Sequence, residues 1–123
     1  MRSLRVAARI GVWAVASGLC ISFIGYVIDA HKRHTRGPAC VWETVPNPDN
    51  MPYMARYCYL TKDTGLLRLY DGKGKKLLAE RMYFNLDLPR LYWSPDALSY
   101  ETSTGESIQL PPTWLDRLRA LLP

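Results

Sequence analysis

The part of this chain able to fold into a globule lacks histidine: the only two, His31 and His34, come before residue 37. That absence removes the commonest general base and the commonest metal ligand, and with them Ser-His-Asp and Cys-His nucleophile arrangements. There is also no Cys-x-x-Cys pair, no phosphate-cradling glycine loop and no run of residues at metal-ligand spacing. Gly72-Lys73-Gly74-Lys75-Lys76 has the residue types of a phosphate loop without the Walker spacing, and it reads as a solvated turn. The acids Asp71, Glu80, Asp87, Glu101 and Glu106 are scattered, with no arrangement that would drive two carboxyl pKa values apart. Met51, Met54 and Met82 read as packing residues rather than a thioether copper site. His31 and His34, spaced i, i+3 without an acid or thiol beside them, read as solvated groups near a surface. The expectation is a protein that is not an enzyme and uses no cofactor and no metal.

Acidic residues are scarce at the N-terminal end. Of 11 acids only Asp29 falls in the first 36 positions, against six of the 16 basic residues: Arg2, Arg5, Arg9, Lys32, Arg33 and Arg36. Beyond residue 36 the two signs balance, so the net charge of +5 belongs to the N-terminal third. A nucleic-acid partner needs a basic face on the folded part, and none is expected. A basic collar beside anionic lipid explains the same residues.

Between Ile10 and Ile28 there is no charge at all. A helix of that length rises roughly 28 Å, close to the roughly 30 Å of a bilayer's hydrocarbon core. Trp13 and Tyr26 stand near its two ends, where amphipathic rings favour the interface. Cleavage as a secretory signal would have to use Ala30 with Ile28 at the −3 position, a poor site, and Leu19 before Cys20 disfavours a lipoprotein signal. An uncleaved signal anchor is the expectation. Basic residues flank it evenly, and Asp29 with the amino terminus tilts the orientation toward N-in. Gly11, Ala14, Gly18, Ser22 and Gly25 fall on one helical stripe roughly 80° wide, a pattern that lets helix backbones approach and suggests helix–helix association in the membrane.

Cysteine is sparse: Cys20 lies in the apolar run, leaving Cys40 and Cys58 in the globular part. An isolated pair in a small exported domain reads as a disulfide, and closing a loop of about 19 residues contributes roughly 3 kcal/mol in the chain-entropy model. That bond would put the domain on the oxidising side of the membrane.

The organisation expected is a basic segment at 1–9, a membrane helix at 10–28, a basic stalk at 29–37 and a small mainly-β (α+β) domain at 38–123. Strand signals fall at Ala39–Val45, Ala55–Thr61, Leu66–Tyr70, Lys76–Phe84, Leu91–Trp93, Ala97–Thr102 and Ser107–Leu110, the later ones weaker. Between them lie a proline-rich loop at Pro46–Pro52, a turn at Lys62–Gly65, an Asp71-Gly72 hairpin and a turn at Ser103-Thr104-Gly105. A twisted antiparallel meander of five or six strands should result. A short C-terminal helix should follow Pro111-Pro112, opened by a Thr113/Asp116 capping box, with Trp114, Leu115, Leu118, Leu121 and Leu122 docked on the sheet.

Seven of the eight tyrosines lie in the domain. Exposed tyrosines supply contact area at low entropic cost and are enriched at interfaces. Tyr57 and Tyr59 flank Cys58 and point together to the opposite face; with Tyr70 and Tyr83 they are the expected partner contact. The layout is similar to that of small bacterial envelope proteins. The expectation is a single-pass protein of a bacterial inner membrane, its C-terminal domain in the periplasm, serving as a protein-binding module of inhibitor or immunity type. The alternative is an accessory or assembly subunit of an inner-membrane complex, acting through its transmembrane helix.

Overall fold

The computed structural model describes residues 2–48, 50–84, 91–101 and 105–122. The chain forms two compact units, dividing at Thr35/Arg36.

The first unit is a single helix, α1 (Arg2–Arg36). It contains the charge-free run and continues through most of the basic stalk; Thr35 Oγ1 donates to the His31 carbonyl at 2.8 Å. From Val6 onward the helix is long and apolar enough to cross a membrane. Val12, Trp13, Leu19 and Phe23 are exposed, as suits a helix that is apolar all round and finds no protein core to enter. Near its end the Arg33 guanidinium lies 5.9 Å from the centre of the Tyr26 ring.

The second unit opens with a 3-10 turn at Gly37–Ala39, set by Pro38, and continues as seven antiparallel strands and a helix. β1 (Glu43–Val45), β2 (Tyr53–Tyr59), β3 (Thr64–Asp71) and β4 (Leu77–Phe84) make one sheet in chain order. β5 (Tyr92–Ser94), β6 (Ala97–Glu101) and β7 (Glu106–Gln109) make a second. Two meanders replace the single one expected from the strand pattern. β4 does not pair with β5; α2 (Trp114–Leu121) packs against β4 instead. The expected strand at Ala39–Val45 shortens to β1: the 3-10 turn takes Ala39, and Cys40 and Trp42 pack over the outer cluster before strand pairing begins. The turn residues Ser103 and Thr104 and the end of the expected strand at Thr102 lie outside the described residues.

Registered pairs define the faces of the larger sheet. Val45 opposite Ala55, Ala55 opposite Leu69, Tyr57 opposite Leu67 and Leu69 opposite Ala79 share the inner face. With Tyr83 they join Leu98, Tyr100, Ile108 and Leu110 of the second sheet and its exit in one core. The Tyr83 and Tyr100 rings meet at 5.7 Å across the two sheets. Tyr83 also lies directly over Gly65, where an added Cβ would fall 2.4 Å from its ring carbon. The outer face carries a smaller cluster of Cys58, Leu60 and Leu66, covered by Cys40, Trp42 and Met82. Cys40 and Cys58 form a disulfide with Cα atoms 5.9 Å apart, inside the usual range, which pins the chain entering β1 over this outer face.

The β3–β4 hairpin departs from a two-residue Asp-Gly turn. Gly74, not Gly72, takes a positive φ (67°), and its N–H donates to the Asp71 carbonyl at 2.8 Å. Asp71 Oδ1 accepts from the Lys75 and Lys76 backbone N–H groups, which holds its carboxyl below the usual range.

α2 opens with the expected capping box: the Asp116 N–H donates to Thr113 Oγ1, and Asp116 Oδ2 accepts from the Thr113 N–H. Its docking is the reverse of the expectation. Asp116 is the buried residue and pairs with Arg81 of β4, whereas Trp114, Leu115, Leu118, Leu121 and Leu122 are exposed. The apolar stripe therefore covers none of the core.

Candidate binding face of the four-stranded sheet

The four tyrosines expected to form one contact are not brought together. Tyr83 is 4% exposed and belongs to the core. Tyr57 sits on the inner face, packed against the core edge, while Cys58, on the opposite face as the alternation requires, joins the outer cluster. Tyr57 donates to Glu43 Oε2 at 2.5 Å, and this bond to a carboxylate, with burial, pushes its pKa up to about 12. Tyr59 stacks edge-on against Tyr57 at 6.3 Å, and burial raises its pKa too. These two form a pair at the open edge of the inner face. Tyr70 alone reaches the outer face, by the alternation that places Leu66, Arg68 and Tyr70 together.

What the outer face does assemble is an arginine–aromatic array. Arg56 of β2 lies directly opposite Arg68 of β3. Like charges so placed repel, and the structure gives each an answer. The Arg68 guanidinium lies 4.7 Å from the Trp42 ring centre, and its Nε donates to Glu80 Oε2 of β4 at 2.6 Å. Arg56, which is exposed, lies 6.0 Å from the Tyr70 ring. Cation–π attraction holds within about 6 Å, so Arg68 is well inside that range and Arg56 at its limit. Glu80 pairs with Arg68, and among the described residues no carboxylate is placed on Arg56, so this patch carries positive charge between two rings. Trp42 is steadied in turn by the disulfide two residues before it.

The remaining candidates fall apart as sites. Met51 packs on the main core, Met82 on the outer cluster, and Met54 beside Gly74, so the thioethers are not gathered. His31 and His34 are exposed on α1. Asp71 is spent on its turn and Glu80 on Arg68, while Asp87 and the side chain of Glu101 lie outside the described residues. A shallow open depression of about 330 Å³ beside α2 is lined by Arg81, Gln109, Thr113, Asp116 and Arg119, but Arg81 and Asp116 are paired with each other. On α1, Gly11, Ala14, Gly18, Ser22 and Gly25 are all exposed, and Cβ atoms added at the three glycines would meet nothing within 4 Å. Ser22 Oγ donates back to the Gly18 carbonyl at 3.0 Å.

The two arginines of this array, Arg56 and Arg68, were not among the residues expected from the sequence to make the contact. One signal was present: an arginine at the centre of Leu66-Leu67-Arg68-Leu69-Tyr70, a strand otherwise apolar, must be paired on whichever face it takes.

Fold and array together describe a disulfide-clamped, two-sheet β domain that follows one apolar helix. No family model, no curated protein and no solved structure matches the chain.

Proposed function

We propose that this protein is a membrane-tethered, non-catalytic binding module. In this reading α1 crosses a bacterial inner membrane once, N-terminus inside, and the domain meets a protein partner in the periplasm, as an inhibitor or immunity-type protein would. The observation that carries it is the outer-face array: Trp, Tyr and Arg are the residues that dominate interface energetics, and here Trp42, Arg56, Arg68 and Tyr70 are grouped on one rigid sheet. Arg56, exposed and directly opposite a second arginine, suits an acidic side chain on the partner. The disulfide and the apolar helix support the compartment.

A second reading, a membrane-complex subunit acting through α1, is favoured by the open glycine face of that helix. One experiment separates the two. The full chain is purified from envelopes in mild detergent as wild type, Arg56→Glu and Gly18→Leu, and retained protein is quantified. The binding module predicts loss of about tenfold or more in affinity for Arg56→Glu, equivalent to about 1.4 kcal/mol, and none for Gly18→Leu. The opposite pattern supports the membrane subunit, and no loss in either variant refutes the array.

A further inference from the structure

We propose that α2 is an interfacial helix, laying its apolar stripe into the headgroup–acyl boundary of an anionic bilayer; this rests on the reading that α1 crosses that bilayer. At about 100° per residue, Leu121, Trp114, Leu118, Leu122 and Leu115 span a stripe roughly 120° wide. All five are exposed, Trp114 at 72% and Leu121 at 81%. Arg117 and Arg119 are also exposed, and each falls roughly 40° outside one edge of the stripe. The opposite side of the helix holds Asp116, buried against Arg81, and the half-buried Ala120.

This arrangement singles out lipid from the other occupants of an apolar helix face. The one acid of α2 is turned inward and neutralised, so the exposed surface of the helix is apolar with cations on both flanks. That is the charge pattern of a helix lying in an anionic interface, its arginine stems along the apolar band and their heads at phosphate level. A second copy of α2 would bring arginine against arginine. An eight-residue helix binds a membrane weakly by itself, but residues 29–39 alone separate the apolar run of α1 from Cys40, so the span keeps the lipid surface at high effective concentration.

The test uses the full chain in vesicles of phosphatidylcholine with phosphatidylglycerol, acyl chains brominated near the headgroup. Tryptophan emission is compared for wild type, Trp114→Phe and Trp13→Phe, so that subtraction isolates each residue. The inference expects the Trp114 contribution to fall by about twofold or more on bromination, and less without phosphatidylglycerol. Quenching of Trp13 without quenching of Trp114 overturns the inference and leaves the membrane anchor standing; quenching of neither overturns both. A blue-shifted but unquenched Trp114 signal that grows with protein density assigns the face to a second copy. Equal quenching in phosphatidylcholine alone overturns the role of the arginines.

Discussion

Asp116→Asn probes how α2 is held, because a single carboxylate both starts the helix and docks it. Its side chain is 7% exposed. Oδ1 accepts from Arg81 Nη2, and Oδ2 accepts from the Thr113 N–H at 3.1 Å and from Thr113 Oγ1 at 2.8 Å. An asparagine keeps one oxygen and turns an NH2 group toward a donor, so either the Arg81 bond or the cap is lost. A bond to a charged group contributes about 1.5–3 kcal/mol and a cap about 1 kcal/mol. Arg81 keeps some solvent access and a bond to the Glu80 carbonyl at 3.0 Å, which places the cost near the low end, about 2 kcal/mol. Urea unfolding of the full chain in mild detergent, followed by tryptophan emission, reads this directly. With a slope of about 1 kcal/mol per molar, the midpoint should fall by about 2 M. Acid provides the second check. Burial pushes the Asp116 carboxyl up, but the bonds from Arg81 and Thr113 outweigh it and hold the group below its ordinary 3.8. The folded state therefore binds the proton less readily than the unfolded chain. The stabilisation is complete above the ordinary value and is lost as pH falls through the lowered one. Wild type and Asp116→Asn should differ fully well above the ordinary 3.8 and converge as the pH falls through the lowered value. A difference under about 0.5 kcal/mol at neutral pH, or one that persists undiminished in strong acid, would show that the pair does not hold the helix.

Gly65→Ala should destabilise the domain by about 2 kcal/mol in the same assay, because the new methyl meets the Tyr83 ring, itself packed on Tyr100; an unchanged midpoint would mean the ring moves freely. In native membranes Cys40 and Cys58 should resist thiol labelling until reduced. Replacing both by serine should cost about 3 kcal/mol. Ready labelling of both without reduction would place the domain in a reducing compartment and remove the periplasmic setting of the binding-module reading.

Much of the fold was legible because each feature had a local cause. The charge-free run specified the apolar centre of α1 but not its ends, alternation and turn residues specified the strands to within a few positions, and the Thr113/Asp116 spacing specified the α2 cap. The split into two sheets was not legible. Periodicity says that a strand has two faces but not which neighbour it takes, and β4 takes α2, to which the Arg81–Asp116 pair ties it from far away in sequence. The same gap misled the reading of the site. Tyr57 and Tyr59 do share a face, but which face is the core was decided by pairing: Ala55, Leu67 and Leu69 outweigh Cys58 and Leu66 in joining the second sheet.

α2 shows the limit most clearly. Its pattern is that of a helix that should bury a leucine stripe, and in a free-standing soluble domain burial would be worth roughly 1.5–3 kcal/mol for each large side chain. The fold forgoes that gain and buries an aspartate, which stays charged because Arg81 and Thr113 meet it. A buried acid on one face and an exposed leucine stripe on the other are consistent with each other if the stripe has a second apolar medium to enter. Conflicts between local pattern and global packing gather at functional surfaces. Here the conflict falls on the one helix whose exposed face combines tryptophan, leucine and arginine, in a chain that opens with a helix long enough to cross a membrane. The domain thus shows two amphipathic surfaces, the sheet face of Trp42–Arg68 and Arg56–Tyr70 and the exposed stripe of α2, and the two proposals above rest on one each.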